Sequence, residues 1–212
     1  MGQMLAVIRF RVEGDLRYLS HAETMRMFQR ALVRAGAKVA YSQGYNPHLR
    51  MSLVLPRSVG VESDDEMLCL WLEEGQTAFD VERLKGEMPE GIEIVSAAIS
   101  QATKVPEPSS ARYVIKIRRT EESVKARIEE LMTSERLVVE RKTGEDSGTK
   151  TVDVRPFLES ISEEAGDIAV DCKISPAGTI RVGEILGLLQ LTAENLAGPV
   201  RRTSVQWEGI AV

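Results

Sequence analysis

The chain has 212 residues, 43% of them hydrophobic and 28% charged, with a formal net charge of −5. That composition excludes a disordered or low-complexity chain and supplies apolar material for one or two cores. No apolar run approaches the roughly 18 residues that span a bilayer, so no membrane association is expected.

The net charge hides an asymmetry. Residues 1–60 carry nine Lys/Arg and three Asp/Glu, whereas the remainder carries 18 and 29. A basic head on an acidic body points to an anionic partner at the head, or to mutual attraction of the two parts.

In chain order, Leu5 to Val12 alternates as a strand. Val7, Arg9 and Arg11 share one face, and Ile8, Phe10 and Val12 the other. The apolar start Met1 to Phe10 leads into arginines without a small-x-small cleavage pattern. It reads as a strand, not a secretion signal, and a cytoplasmic protein is expected. Ser20 with Glu23 three residues on forms a capping box. The helix it opens has a buried stripe of Met25, Phe28, Leu32 and Ala35 and stops at Gly36. Lys38 to Ser42, Met51 to Leu55 and Glu66 to Leu72 read as strands, Phe79 to Met88 as a short helix, and Ile92 to Ile99 as a closing strand. Pro106 and Pro108 mark Gln101 to Ser110 as a linker.

Beyond it, Tyr113 to Arg118 reads as a strand. A helix starts near Thr120, and a hairpin folds around the polar loop Gly144 to Gly148. Pro156 is expected to open a helix carrying Phe157, Leu158 and Ile161. Ile168 to Ile174 is a strand, Val182 to Leu191 a helix and Val200 to Trp207 a last strand.

The expected fold class is therefore α+β, with two ferredoxin-like βαββαβ-type α/β-sandwich domains, antiparallel sheets and helices on one face. The expected division is a first domain over 1–100, a linker over 101–110 and a second domain over 111–212.

Three groups of residues could carry function. Arg26, Arg30 and Arg34 lie four apart on one helix face. Like charges so placed cost roughly 0.2–0.5 kcal/mol each, a cost that an anion would offset, and arginine's planar fork suits phosphate. The alternative is a solvated face. The loop Tyr41-Ser42-Gln43-Gly44-Tyr45-Asn46-Pro47-His48, flanked by Arg50 and Arg57, combines rings, amides and cations, as single-stranded RNA recognition requires. It could equally be an ordinary turn. His21 and His48 are the two histidines, and weak candidates for general acid and base in RNA cleavage. Arg201 and Arg202 could extend a basic path or form a solvated pair.

Cys69 and Cys172 are expected as buried free thiols. Two cysteines cannot provide the usual ligands of an iron–sulfur cluster. No phosphate loop, GxGxxG, GxSxG or HExxH occurs, and neither cofactor nor metal is expected.

Leu19-Ser20-His21, Arg26, Arg30-Ala31, Arg34-Ala35-Gly36, Tyr41 to His48, Ser52-Leu53, Pro56 and Val59-Gly60-Val61-Glu62-Ser63 together resemble the radical-SAM-linked protein family. This is a bacterial family of unknown function, encoded beside or fused to cobalamin-domain radical SAM proteins. The resemblance is closest over residues 5–75. Glu23 stands where the family usually has Asp, and Tyr45 where it has Phe. The resemblance implies an accessory, non-catalytic partner of a separate radical SAM enzyme, and together with the charge asymmetry and the arginine stripe it leads to the expectation that the protein holds RNA or another anionic substrate. A metal-independent RNA-processing enzyme and a pure protein–protein adaptor are the competing readings.

Overall fold

The computed structural model describes residues 3–101, 104–119, 122–143 and 148–209. The expected helix start at Thr120 and the loop residues 144–147 lie outside them. The chain divides into two compact units: Met1–Pro108 together with Trp207–Val212, and Ser109–Gln206.

The first unit runs β1 (Leu5–Val12), a 3-10 turn (Gly14–Tyr18), α1 (His21–Arg34), β2 (Met51–Leu53), β3 (Glu62–Trp71), α2 (Val81–Lys85) and β4 (Ile92–Ser100). β1 lies between β4 and β3, β2 pairs with β3, and every one of these pairings is antiparallel. The period-two alternation of β1 decides which face is covered by helices. Its even residues Ala6, Ile8, Phe10 and Val12 are buried with Phe28, Ala31 and Leu32 of α1 and Leu84 of α2. The Phe10 and Phe28 rings meet edge to face, with centroids 4.8 Å apart. Each of the buried Val, Leu, Ile and Phe side chains contributes about 1.5–3 kcal/mol through desolvation, and the alanines less. The odd residues Leu5 and Val7 form a second cluster with Met67 and Cys69, packed against Val105 and Trp207. On that face the Arg9 guanidinium sits 2.8 Å from Asp65. The Trp207 indole donates to the same Asp65 oxygen at 3.2 Å. Asp65 is only 5% exposed, so its charge is tolerated because charged and neutral donors surround it.

Lys38 to Ser42, expected as a strand, makes only isolated bridges, Val39 to Leu72 and Tyr41 to Leu49. The segment stays bonded to the sheet, Ala40 N to Trp71 O at 2.7 Å and Glu73 N to Lys38 O at 3.0 Å, without continuing as a ladder.

The second unit contains β5 (Glu107–Ile115), α3 (Glu122–Thr133), the hairpin β6 (Val138–Thr143) and β7 (Gly148–Asp153), then β8 (Leu158–Glu164), β9 (Asp167–Lys173), α4 (Val182–Leu188) and β10 (Arg201–Glu208), with the first two residues of β5 and the last two of β10 counted in the first unit. Its strand order is β10-β5-β9-β8, with β6–β7 a separate two-stranded sheet. Without that hairpin, both units share one order of elements and one order of strands. Residues 107–110, expected as linker, are already the start of β5.

The helix expected after Pro156 is not formed. Arg155–Phe157 is a single 3-10 turn, and Leu158 begins a strand. The β8–β9 register shifts between Leu158 and Ser160. Such a bulge puts Leu158 and Ile161 on the same side, three apart, which mimics helical spacing. Arg202 is 1% exposed, so it is a core residue and not part of a solvated pair.

Both cysteines are free and buried, and burial pushes each thiol up to about 12. Among the described residues no helix is long and apolar enough to cross a membrane.

Candidate functional site: a basic groove on α1

Capping fixes where α1 starts. The Ser20 hydroxyl accepts from the Glu23 amide at 3.3 Å, and the Glu23 carboxylate accepts from the Ser20 amide at 2.8 Å and the Ser20 hydroxyl at 2.6 Å. These bonds, first from the hydroxyl and then from the amide, hold the Glu23 carboxyl below its ordinary range, with a further contribution from nearby Arg26. With the start fixed and Phe28, Ala31 and Leu32 buried, the helical period points Arg26, Arg30 and Arg34 to solvent.

All three arginines line a groove of about 570 Å³ between α1 and residues 86–89, together with Glu23 and Glu87. Arg34 is not free. Its Nε lies 2.6 Å from the Glu87 carboxylate, and its Nη2 donates to the Glu87 carbonyl at 2.9 Å. Glu23 is turned to its cap. Glu87 is therefore engaged with Arg34, while Glu23, bound to its cap, still attracts Arg26. Arg26 and Arg30 make no hydrogen bond or close ion pair among the described residues. One helical turn separates them, about 6 Å along the axis. This pair of guanidinium groups is what an anion would meet.

The Tyr41 to His48 loop does not line that groove. It is pinned at its neck. The Ser42 amide donates to the His48 carbonyl at 2.7 Å, and the His48 amide donates to the Ser42 hydroxyl at 3.0 Å. Gln43, Tyr45, Asn46 and the His48 side chain are exposed, and Tyr45 is fully so. Arg50 sits at the root, its guanidinium 5.2 Å from the Trp71 ring centroid and donating to Gln3 at 2.6 Å.

Arg57, expected among the anion-binding residues, has another role. Its guanidinium donates to the carbonyls of Leu16, Arg17, Leu19, Ser58 and Val61. It ties the 3-10 turn before α1 to the loop 58–61, where the Gly60 amide also donates to the Arg17 carbonyl at 2.8 Å. A fork with five donors suits this task, and its phosphate-binding edges are occupied. Glu62 and Ser63 are buried at the start of β3.

His21 is the first residue of α1 and exposed, and His48 is exposed on the loop. Neither imidazole has a hydrogen-bond partner among the described residues, so nothing orients either ring for proton transfer. Among the described residues no cluster of three or more His, Cys, Asp and Glu could hold a metal ion.

Glu87 is not legible in the sequence as a site residue. It lies 53 positions from Arg34, and no local pattern distinguishes it from other acidic residues of the acidic body.

A family model described as an uncharacterized protein conserved in bacteria (DUF2344) matches residues 6–184. The chain belongs to this family. The matched span contains the α1 groove and the Tyr41 to His48 loop of this DUF2344 protein. No curated protein matches the sequence. Among solved structures, the chain is similar to a chain of the "Crystal Structure of a Cbf5-Nop10-Gar1 Complex", at 11% identity and a TM-score of 0.44. The match covers 94% of this chain and 48% of that one, so this chain spans about half its length.

Proposed function

We propose that this protein is a non-catalytic binding protein that takes RNA or another anionic substrate in the α1 groove. We further propose that it serves a separate enzyme, which the family resemblance of the sequence suggests is a radical SAM protein in the cytoplasm. The observation that carries the reading is the state of Arg26 and Arg30. They stand one turn apart over a groove whose two carboxylates are bound to Ser20 and Arg34. Repulsion between like charges one turn apart is offset only in part by Glu23 beside Arg26, and an anionic ligand would relieve the rest. The scaffold belongs to the same reading. The strand orders β4-β1-β3-β2 and β10-β5-β9-β8 support two ferredoxin-like units, and in the first unit both helices cover one sheet face.

The test is an anisotropy titration of labelled transfer-RNA-sized RNA at two salt concentrations, with the wild type and Arg26→Ala/Arg30→Ala. Binding should weaken as salt rises, and the double variant should lower the logarithmic salt slope by about 1.5, near 0.7–0.9 for each phosphate that is no longer neutralised. Binding that ignores salt, or a double variant that binds like wild type, overturns the groove reading.

A further inference from the structure

The groove accounts for two arginines of the basic head, but not for the most exposed ring in the protein. Tyr45 is completely solvent-exposed and Tyr41 is half-exposed, at 51%. A tyrosine ring carries enough apolar surface that leaving it wholly in water forgoes its main source of free energy. This exposure does not come from a loose loop end. The neck bonds between Ser42 and His48 close the loop. The root is sewn to the sheet by Arg50 N to Ala40 O, Ala40 N to Trp71 O and Trp71 N to Arg50 O, at 2.7, 2.7 and 3.0 Å. The chain therefore holds Tyr45 away from the protein on an anchored stem.

The chemistry around the ring narrows the partner. From Lys38 to Val61 the sequence has no carboxylate. Of its three basic side chains, Lys38 and Arg50 are exposed, whereas Arg57 is held on main-chain carbonyls. Gln43 and Asn46, on either side of Gly44-Tyr45, offer amides that can donate and accept. At the root the Arg50 guanidinium lies over the Trp71 ring. An exposed π-face, flanking amides and a loop segment that has cations and no acids match what unpaired bases need. Bases stack on the ring, amides meet their edges, and cations meet the backbone. A duplex presents no free base face to such a ring.

We infer that the Tyr45-tipped loop is a base-stacking platform, and that the ligand is a single-stranded nucleic acid. This rests on the groove reading for the anionic character of the ligand, and specifies it further. The loop does not line the α1 groove, so the two elements make separable contributions: Tyr45 the base contact, Arg26 and Arg30 the phosphate contacts.

The test uses the full chain with a fluorescent single-stranded oligouridylate and a duplex RNA of equal length, for wild type, Tyr45→Ala, Tyr45→Phe and Arg26→Ala/Arg30→Ala. Tyr45→Ala should weaken single-strand binding roughly 5- to 150-fold, the range for losing one stacked base. Its salt slope should be unchanged, because the ring touches no phosphate. Tyr45→Phe should bind like wild type, and duplex binding should be indifferent to both. Single-strand binding by Tyr45→Ala equal to wild type overturns the platform, as does an equal loss on the duplex. A fully exposed side chain leaves folding unaffected, so loss of fold cannot mimic the result. The two readings fail apart. If the arginine variant keeps its salt slope while Tyr45→Ala loses affinity, the groove falls and the platform stands. The reverse pattern removes the platform and leaves the groove.

Discussion

Arg34 is closed onto Glu87 by two bonds, one to the carboxylate at 2.6 Å and one to the main-chain carbonyl at 2.9 Å. The contact is half-exposed on the arginine side, at 52%. An ion pair of this exposure adds only about 0.2–1 kcal/mol to stability. Its larger effect is on the groove, where Glu87 occupies the third guanidinium. Glu87→Gln should therefore raise affinity for RNA about two- to tenfold at low salt while moving the urea midpoint little. Parallel titration and urea denaturation check both. Unchanged affinity would mean that Arg34 takes no part in binding.

Arg57 should behave oppositely. Its guanidinium satisfies five carbonyls from two segments about forty residues apart. Bonds from a charged donor are worth about 1.5–3 kcal/mol each when buried, and less when exposed. Arg57→Ala should cost about 2–4 kcal/mol in chemical denaturation. Arg57→Lys should recover little of this, since a point ammonium cannot span the same acceptors. At temperatures where the variant is folded, its RNA affinity should equal that of wild type. A selective loss of affinity would restore Arg57 to the binding site.

The start of α1 should respond to pH with a definite sign. Ser20→Ala removes the cap and should cost about 1 kcal/mol. Glu23 is held below its ordinary value of 4.5, first by the Ser20 hydroxyl and then by the Ser20 amide. A lowered carboxyl stabilises the fold fully above its unfolded value and loses that stabilisation as pH falls through the folded one. Wild type should thus lose its advantage over Glu23→Gln as pH drops below about 4.5. Thermal melts of both proteins between pH 3 and 7 would show the curves converging at the acid end. Parallel curves would mean that Glu23 is not ionised in its cap.

Local patterns are legible in the sequence where one face of an element is buried by its own period. Ile8, Phe10 and Val12 against Val7, Arg9 and Arg11 place β1 with its bounds, and Ser20 with Glu23 places α1. Legibility ends where periodicity is interrupted. The bulge between Leu158 and Ser160 gives Leu158 and Ile161 a helical spacing on a strand. The expected strand at Lys38 to Ser42 comes down to isolated bridges because its pairing changes from Leu72 at Val39 to Leu49, across its own loop, at Tyr41. In the site, the α1 arginines are visible because one helix generates their alignment. Their fates are not. What separates free Arg30 from engaged Arg34 is Glu87, and what removes Arg57 from the surface is a set of carbonyls around Leu16 and Leu19. Such partners are set by tertiary approach, which carries no short-range signature.

The bond from Trp207 to Asp65 also bears on the order of events at the ribosome. The two residues are 142 positions apart, and at about 5–20 residues per second the indole emerges on the order of ten seconds after the carboxylate. Through that interval the nascent first unit can close its helix-covered face, but the face bearing Leu5, Val7, Met67 and Cys69 lacks its tryptophan cover. The unit that is translated first is finished only when its own Trp207 arrives.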